Sequence, residues 1–474
     1  MTRVAIIGGG PAGYEAALVA AQLDATVTLI EETGMGGACV VSDCVPSKTF
    51  IATSNVLTEI HEATDLGVTV DKPKVEPTIL YNRVKRLAQQ QSADIASKVT
   101  KVGVTVVDGR ASICETISPQ GAAAALAAGS HFTHRVRIGP TNGEAYDLEA
   151  DVVLLATGST PRELPSAIPD GERILSWRQV YDLDELPEKL VVIGSGVTGA
   201  EFASAYLAMG SQVTLISSRE HVMPHEDADA ALAIERVFRN RGMDIRSRSR
   251  AEGVRRTENG VEVTLTDGTT VKGSHALITV GSTPNSDGLN LESAGVRVNQ
   301  WGYIEADKVS RTNIPGIYAA GDVTGVLPLA SVAAMQGRIA IWHAMGEAVR
   351  PLKLFNVAAN VFTDPELASV GVSQEAVDEG KLDAKVVMLP LASNARAKMS
   401  ERTEGFVKLI CRAGSGLVAG GVVVAPRASE LITPIALAVE QRLTVEQVAR
   451  TLTIYPSLSG SISEAARQLV DYES

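Results

Sequence analysis

Four cysteines in 474 residues (Cys39, Cys44, Cys114 and Cys411) are too few to frame a disulfide-stapled fold. No apolar stretch reaches the ~18 residues that a membrane-spanning helix needs, so no stable membrane insertion is expected. Aromatic residues make up only 4% of the chain, and 43 Lys plus Arg are outnumbered by 55 Asp plus Glu, leaving a net charge of −12. Such a surface is repelled by phosphate backbones and anionic lipids, and no nucleic-acid partner is expected. Histidine is scarce too: the seven are His61, His131, His134, His221, His225, His275 and His343, and none lies further along the chain. The apolar N-terminal stretch carries a glycine cluster with Glu15 and Gln22, which suits a strand–turn–helix rather than a secretion signal. With so little cysteine, the expected location is cytoplasmic.

What is present is ordinary globular material, 45% hydrophobic and 21% charged, and at ~150 residues per domain the length suggests about three domains. Val/Ile runs alternate with Ala-rich stretches, the pattern of an α/β fold with parallel sheets. One unit occurs twice. Val4-Ala-Ile-Ile leads into Gly8-Gly-Gly-Pro-Ala-Gly13, then a helix to about Leu23 and a strand over 27–31. Val191-Val-Ile leads into Gly194-Ser-Gly-Val-Thr-Gly199, then a helix to about Met209 and a strand over 213–217. Two such units imply two nucleotide sites. Residues 121–130 (GAAAALAAGS) read as a surface insertion. Beyond about residue 350, strands over 357–362, 406–411 and 417–424 followed by helices indicate a separate α+β domain.

In each glycine triplet the first residue permits a tight turn, the second lets backbone approach a pyrophosphate, and the third packs helix on strand. Gly8, Gly10 and Gly13 are followed by Glu31 at the end of the next strand, where a carboxylate can bind a ribose hydroxyl. After Gly194, Gly196 and Gly199 the corresponding strand runs into Ser217-Ser-Arg219 with no acid at that point. Ser217, Ser218 and Arg219 can accept a 2′-phosphate there, which points to NADP as well as NAD. Cys39 and Cys44 lie five apart, and an ideal helix would separate their Cα atoms by more than ~8 Å, so a redox pair requires a distorted backbone between them. Pro224 between His221 and His225 argues against a regular helix, and no metal site is expected there. Cys114 and Cys411 are expected to be inert core thiols.

The segment Gly36-Gly-Ala-Cys39-Val-Val-Ser-Asp-Cys44-Val-Pro-Ser-Lys48 resembles the redox-disulfide signature of the flavoprotein disulfide reductases, the class I pyridine nucleotide-disulfide oxidoreductases. Ala156-Thr-Gly-Ser159 and Thr279-Val-Gly281 resemble that family's crossings between FAD and NAD(P) domains. Gly316-Ile-Tyr-Ala-Ala-Gly-Asp322 resembles its second FAD fingerprint, and Phe362-Thr-Asp-Pro-Glu366 the start of its dimerisation domain. The resemblance spans essentially the whole chain. It implies two Rossmann-like domains, for FAD (1–158 with 282–348) and NAD(P) (159–281), plus a C-terminal α+β dimerisation domain (349–474) and a homodimer. It also implies cofactor contacts from Ala111, Thr157, Gly158, Gly281, Asp322 and Ala330, with Lys48 beside the reacting flavin nitrogen and paired with Glu201. A cation there would stabilise negative charge on reduced flavin. Asn394-Ala-Arg-Ala-Lys398 resembles a loop of the interface domain.

One segment departs from the family. Disulfide-reducing members supply a His–Glu pair from a stretch resembling H-A-H-P-T-L-S-E. Here it reads Thr453-Ile-Tyr-Pro-Ser-Leu-Ser-Gly460, with Tyr455 at the His position and Gly460 at the Glu position. A phenol, with an ordinary pKa near ~10, is a poor proton donor to a leaving thiolate. Asp43, next to Cys44, should raise the thiol pKa. The chain therefore reads as an enzyme that passes hydride from NAD(P)H to flavin and on to a small-molecule quinone, with disulfide reduction impaired, resembling the bacterial NAD(P)H–quinone reductase branch. The alternatives are a dihydrolipoamide dehydrogenase-like disulfide reductase using Cys39 and Cys44, a soluble pyridine nucleotide transhydrogenase, and a redox-sensing flavoprotein without turnover.

Overall fold

The computed structural model describes residues 1–71, 73–117 and 133–470, so the insertion expected at 121–130 lies outside the described residues. The chain divides into two compact units. The first comprises residues 1–49, 82–162 and 281–352, and the second residues 50–81, 163–280 and 353–474.

The first unit is built on a seven-stranded sheet. Strand β1 (Arg3–Ile7) pairs in parallel with β2 (Thr26–Glu31) on one side and with Val152–Leu155 on the other. Helix α1 (Pro11–Gln22) connects β1 to β2. Ile6, Leu29, Leu154 and Leu155 have no exposed surface. Burying such side chains contributes about 1.5–3 kcal/mol each, and the parallel part of this mixed sheet, covered on both faces, explains the unbroken Val/Ile runs. Seven residues of α1 are buried, among them Ala12, Ala16, Ala17 and Ala20. Small residues are required there: a Cβ on Gly337, in the helix Ala330–Ala344, would stand 2.1 Å from the Ala12 carbonyl oxygen.

The second unit holds a five-stranded parallel sheet in which Lys189–Ile193 is flanked by Gln212–Ile216 and His275–Ile278. Helix Val197–Ala208 repeats the role of α1. Its second five-stranded sheet is antiparallel, with Glu366–Gly371, Val418–Ala425 and Phe406–Arg412 at its centre. The strand expected over 357–362 is confined to Ala359–Val361.

Cys411 is buried as expected, but Cys114 is exposed. The ladder between Thr105–Ile117 and Thr133–Pro140 slips between Ile113 and Glu115, leaving Cys114 as the unpaired residue of a bulge. A bulge re-aims the side chain it carries, which alternation along the strand could not reveal. No described helix is long and apolar enough to cross a membrane.

Candidate active site

The two glycine fingerprints have nearly the same geometry. Gly8 and Gly194 take φ of +106° and +108°, and a Cβ on either would meet the carbonyl oxygen of Ala156 or Thr279 at 2.2 and 2.3 Å. A Cβ on Gly13 or Gly199 would stand 1.8 or 2.0 Å from the carbonyl oxygen of Gly8 or Gly194. At Gly10 and Gly196, by contrast, a Cβ would meet nothing within 4 Å. Both N-cap the helix that follows, and neither supplies a side-chain cap. Each unit therefore presents open space over uncapped backbone N–H groups at a helix N-terminus, which fits the pyrophosphate of a dinucleotide.

Glu31 is fixed beneath the first turn. Its Oε2 accepts the Gly9 N–H at 2.6 Å, and its Oε1 accepts the Thr33 N–H and hydroxyl, both at 2.7 Å. Ala111 is buried on the strand Thr105–Ile117. Asp322 follows the strand Ile317–Ala319 and accepts the Ser159 hydroxyl at 3.0 Å, with burial raising its pKa. Ala330 opens the helix Ala330–Ala344.

The segments that resemble domain crossings pair with each other, Ser159–Pro161 running antiparallel to Ser282–Pro284. Thr157 donates its hydroxyl to the Asn285 carbonyl at 2.6 Å, and Asn285 Nδ2 returns a bond to the Thr157 carbonyl at 2.8 Å. The Asn285 N–H bonds the Gly158 carbonyl, and the Arg162 N–H bonds that of Gly281. Asn285 went unnoticed in the sequence, although the repeated Gly-Ser-Thr-Pro at 158–161 and 281–284 signals it.

The backbone is broken between the cysteines, as their spacing requires. Helix α2 (Gly37–Val41) ends before Ser42, and α3 (Cys44–Glu62) begins two residues later. The Asp43 N–H reaches back to the Ala38 carbonyl at 2.7 Å. The two thiols hydrogen-bond to each other, so the pair loses its first proton below the ordinary thiol range and its second well above it. Cys39 carries the lowered value, held down by the bond from Cys44 and by Lys48 one turn further along α3, against burial and Asp43. Cys44 is raised by its bond to Cys39, by burial and by Asp43. The adverse effect expected of Asp43 is thus present at both sulfurs.

In the second unit, Glu201 is 3% exposed, and its Oε1 accepts the Phe362 N–H at 2.9 Å. Ser217 does not face a ligand. It is fully buried, with its hydroxyl accepting from Ser195 at 2.7 Å and from the Arg219 N–H at 3.2 Å. That leaves Ser218 and Arg219 exposed. Arg248 also belongs to this corner: its N–H donates to the Arg219 carbonyl at 2.8 Å, and its guanidinium pairs with Glu220. Its distance along the chain hid it from sequence reasoning.

Tyr455 is 84% exposed, between the equally open Leu452 and Ile454 and a cis bond to Pro456. Asn394 ties the following turn down, donating to the Ser457 carbonyl at 3.0 Å and Ser461 Oγ at 2.8 Å. Glu464 lies inside the helix Gly460–Leu469, where Arg467 holds its pKa below the usual range. A carboxyl so paired is no proton donor. His221 and His225 fall in the non-helical stretch before the helix Ala228–Asn240, with His221 Nδ1 3.4 Å from Glu235 Oε2. Among the described residues no His, Cys, Asp and Glu group could hold a metal ion.

Comparison with known proteins agrees with this architecture. Residues 2–337 match the model of the pyridine nucleotide-disulphide oxidoreductases, and residues 357–466 match that family's dimerisation domain. A Mycobacterium tuberculosis protein named NAD(P)H dehydrogenase (quinone) is 55% identical over 478 residues, covering 100% of this chain and 95% of its own. A dihydrolipoyl dehydrogenase of Bacillus subtilis is 33% identical, covering 98% of this chain and 96% of its own. The crystal structure of LpdA from Mycobacterium tuberculosis superposes with a TM-score of 0.93 at 55% identity, covering 99% of this chain and 100% of that one. The Escherichia coli flavoprotein disulfide reductase RclA superposes with a TM-score of 0.83 at 25% identity, covering 98% of this chain and 99% of that one. Two nucleotide-binding folds, a paired dithiol and a C-terminal antiparallel domain thus converge with full-length similarity, and the chain belongs to the pyridine nucleotide-disulphide oxidoreductases.

Proposed function

We propose that the protein is an FAD-dependent NAD(P)H:quinone oxidoreductase in which disulfide reduction is impaired. The observation that carries this reading is the replacement of the family's His–Glu proton donor by Tyr455 and Gly460, in a sequence with no histidine beyond His343. The relative named NAD(P)H dehydrogenase (quinone), at 55% identity, supports it. FAD, when bound, supplies a two-electron carrier between reduced nicotinamide and the acceptor.

The first unit's Gly8, Gly10, Gly13 and Glu31 would hold FAD at its pyrophosphate and ribose, with Ala111, Thr157, Gly158, Asp322 and Ala330 as further contacts. Lys48 would place fixed positive charge at the reacting end of the flavin, and Glu201, itself buried, would balance that charge. Gly194, Gly196 and Gly199 would receive the nicotinamide cofactor, with Gly281 at the crossing. Domain limits of 1–158 with 282–348, 159–281 and 349–474 suit these roles. A homodimer would cover Leu452, Ile454 and Tyr455, which are 99%, 80% and 84% exposed in the single chain. The overall chemistry suits a cytoplasmic enzyme.

Replacing both Cys39 and Cys44 by serine tests the reading. Quinone reduction by NADPH should stay within about twofold of wild type, because a quinone takes electrons without a thiol proton donor. A loss of tenfold or more would move the electrons through sulfur. That is the second reading, disulfide reduction, favoured by the mutual hydrogen bond of the two thiols and by the dihydrolipoyl dehydrogenase relative.

Arg219 and Arg248 would receive the 2′-phosphate of NADPH. Arg219→Ala should raise KM for NADPH about tenfold, the loss of one charge-assisted hydrogen bond, and leave KM for NADH unchanged. Equal effects on the two would remove the phosphate from that corner.

A further inference from the structure

Segment 362–364 joins the strands Ala359–Val361 and Glu366–Gly371 and lies against the helix Val197–Ala208. The Phe362 N–H donates to Glu201 Oε1 at 2.9 Å, and the Asp364 N–H donates to Ser204 Oγ at 3.2 Å. Glu201 and Ser204 share a helix face, so two successive bonds splint that face to the segment.

The segment is itself gripped. Arg241 Nη1 donates to Asp364 Oδ2 at 3.1 Å and to the Asp364 carbonyl at 2.8 Å, while its Nη2 lies 3.2 Å from Glu62 Oε1. Arg402 closes the circuit, with Nε 3.3 Å from Glu62 Oε2 and Nη2 on Asp364 Oδ1. Two cations and two anions alternate, and each touches both of its opposites. They come from four separate places: the end of α3, the residue after the helix Ala228–Asn240, the segment, and the turn beyond the helix Ala395–Met399. The Asp364 and Arg402 side chains are 12% and 19% exposed. Burial raises Glu62 above the usual carboxylate range despite both guanidiniums, so the arrangement is costly as a source of stability. What it gives is geometry: turning any one member breaks two contacts.

We propose that the ring Glu62–Arg241–Asp364–Arg402 orients Glu201 through the Phe362 amide and thereby sets the rate of flavin reduction by NAD(P)H. This rests on the reading that Glu201 pairs with Lys48. Arg402 is a positioning residue, acting only through the segment.

The test uses the FAD-loaded full-length protein with Arg402→Met, Arg402→Lys, Glu201→Gln and the Arg402→Met/Glu201→Gln double variant. Amide hydrogen exchange at residues 362–364 and single-turnover flavin reduction at saturating NADPH are the two readouts. Arg402→Met should speed exchange at Phe362 about tenfold or more and slow flavin reduction about tenfold. Arg402→Lys should fall between, since it keeps the charge but not the fork. The double variant should be no slower than Glu201→Gln alone. Unchanged exchange and an unchanged rate, with only a lowered Tm, would make the ring merely structural and overturn the proposal. An equal slowing by Arg402→Met in the Glu201→Gln background would overturn it too, because the effect would bypass Glu201. If Glu201→Gln itself reduces flavin at the wild-type rate, the Lys48–Glu201 reading fails and the positioning role falls with it. Should Arg402→Met not fold, Arg402→Lys and Arg241→Lys carry the same comparison.

Discussion

Lys48→Ala is expected to slow reduction of bound flavin by NADPH at least about a hundredfold while leaving NADPH affinity near wild type. Lys48 lies one turn beyond Cys44 on α3, close enough for its charge to favour the thiolate of either cysteine. Bound flavin would gain negative charge on reduction, and an ammonium fixed beside it would interact with that charge far more strongly than one in bulk water. The effect belongs to the transition state, so it should appear in the limiting rate rather than in KM. Stopped-flow absorbance of the FAD-loaded protein measures it. An unchanged limiting rate would place Lys48 away from the reacting centre.

The second large effect is a contrast between acceptors. In one preparation with NADPH, turnover of lipoamide should fall below that of a simple para-benzoquinone by about 10²–10⁴, the contribution of a well-placed general acid. Cleaving a disulfide needs a proton for the leaving thiolate. Among the described residues from 453 to 470, the phenols and acids are the 84% exposed Tyr455 and a Glu464 already committed to Arg467. Asp43 opposes ionisation at both sulfurs, although the bond from Cys44 still leaves Cys39 lowered. Robust lipoamide turnover would mean that another group delivers the proton and that Cys39 and Cys44 still work.

Much of the site was legible in the chain because dinucleotide binding makes local demands. A tight turn, an open backbone approach and a close helix–strand contact each call for glycine at a set place, and both triplets meet all three. The break between α2 and α3 followed from the reach of a cysteine pair. Hydrogen bonding that closes on itself could not be read in the same way. Ser217 looks like a phosphate ligand in sequence, yet its hydroxyl is spent on Ser195 and on the backbone at Arg219. Cys114 looks like a core residue until the bulge turns it outward.

The sequence by itself determined the two nucleotide-binding units, the dithiol, the acidic surface and the loss of a C-terminal imidazole, because each depends on residue identity at short spacing. Only the tertiary structure decided what surrounds Glu201 and Arg219. Phe362, Arg241, Arg402 and Arg248 reach those places from distant parts of the chain, and side-chain bonds across such separations leave no period or motif in the sequence.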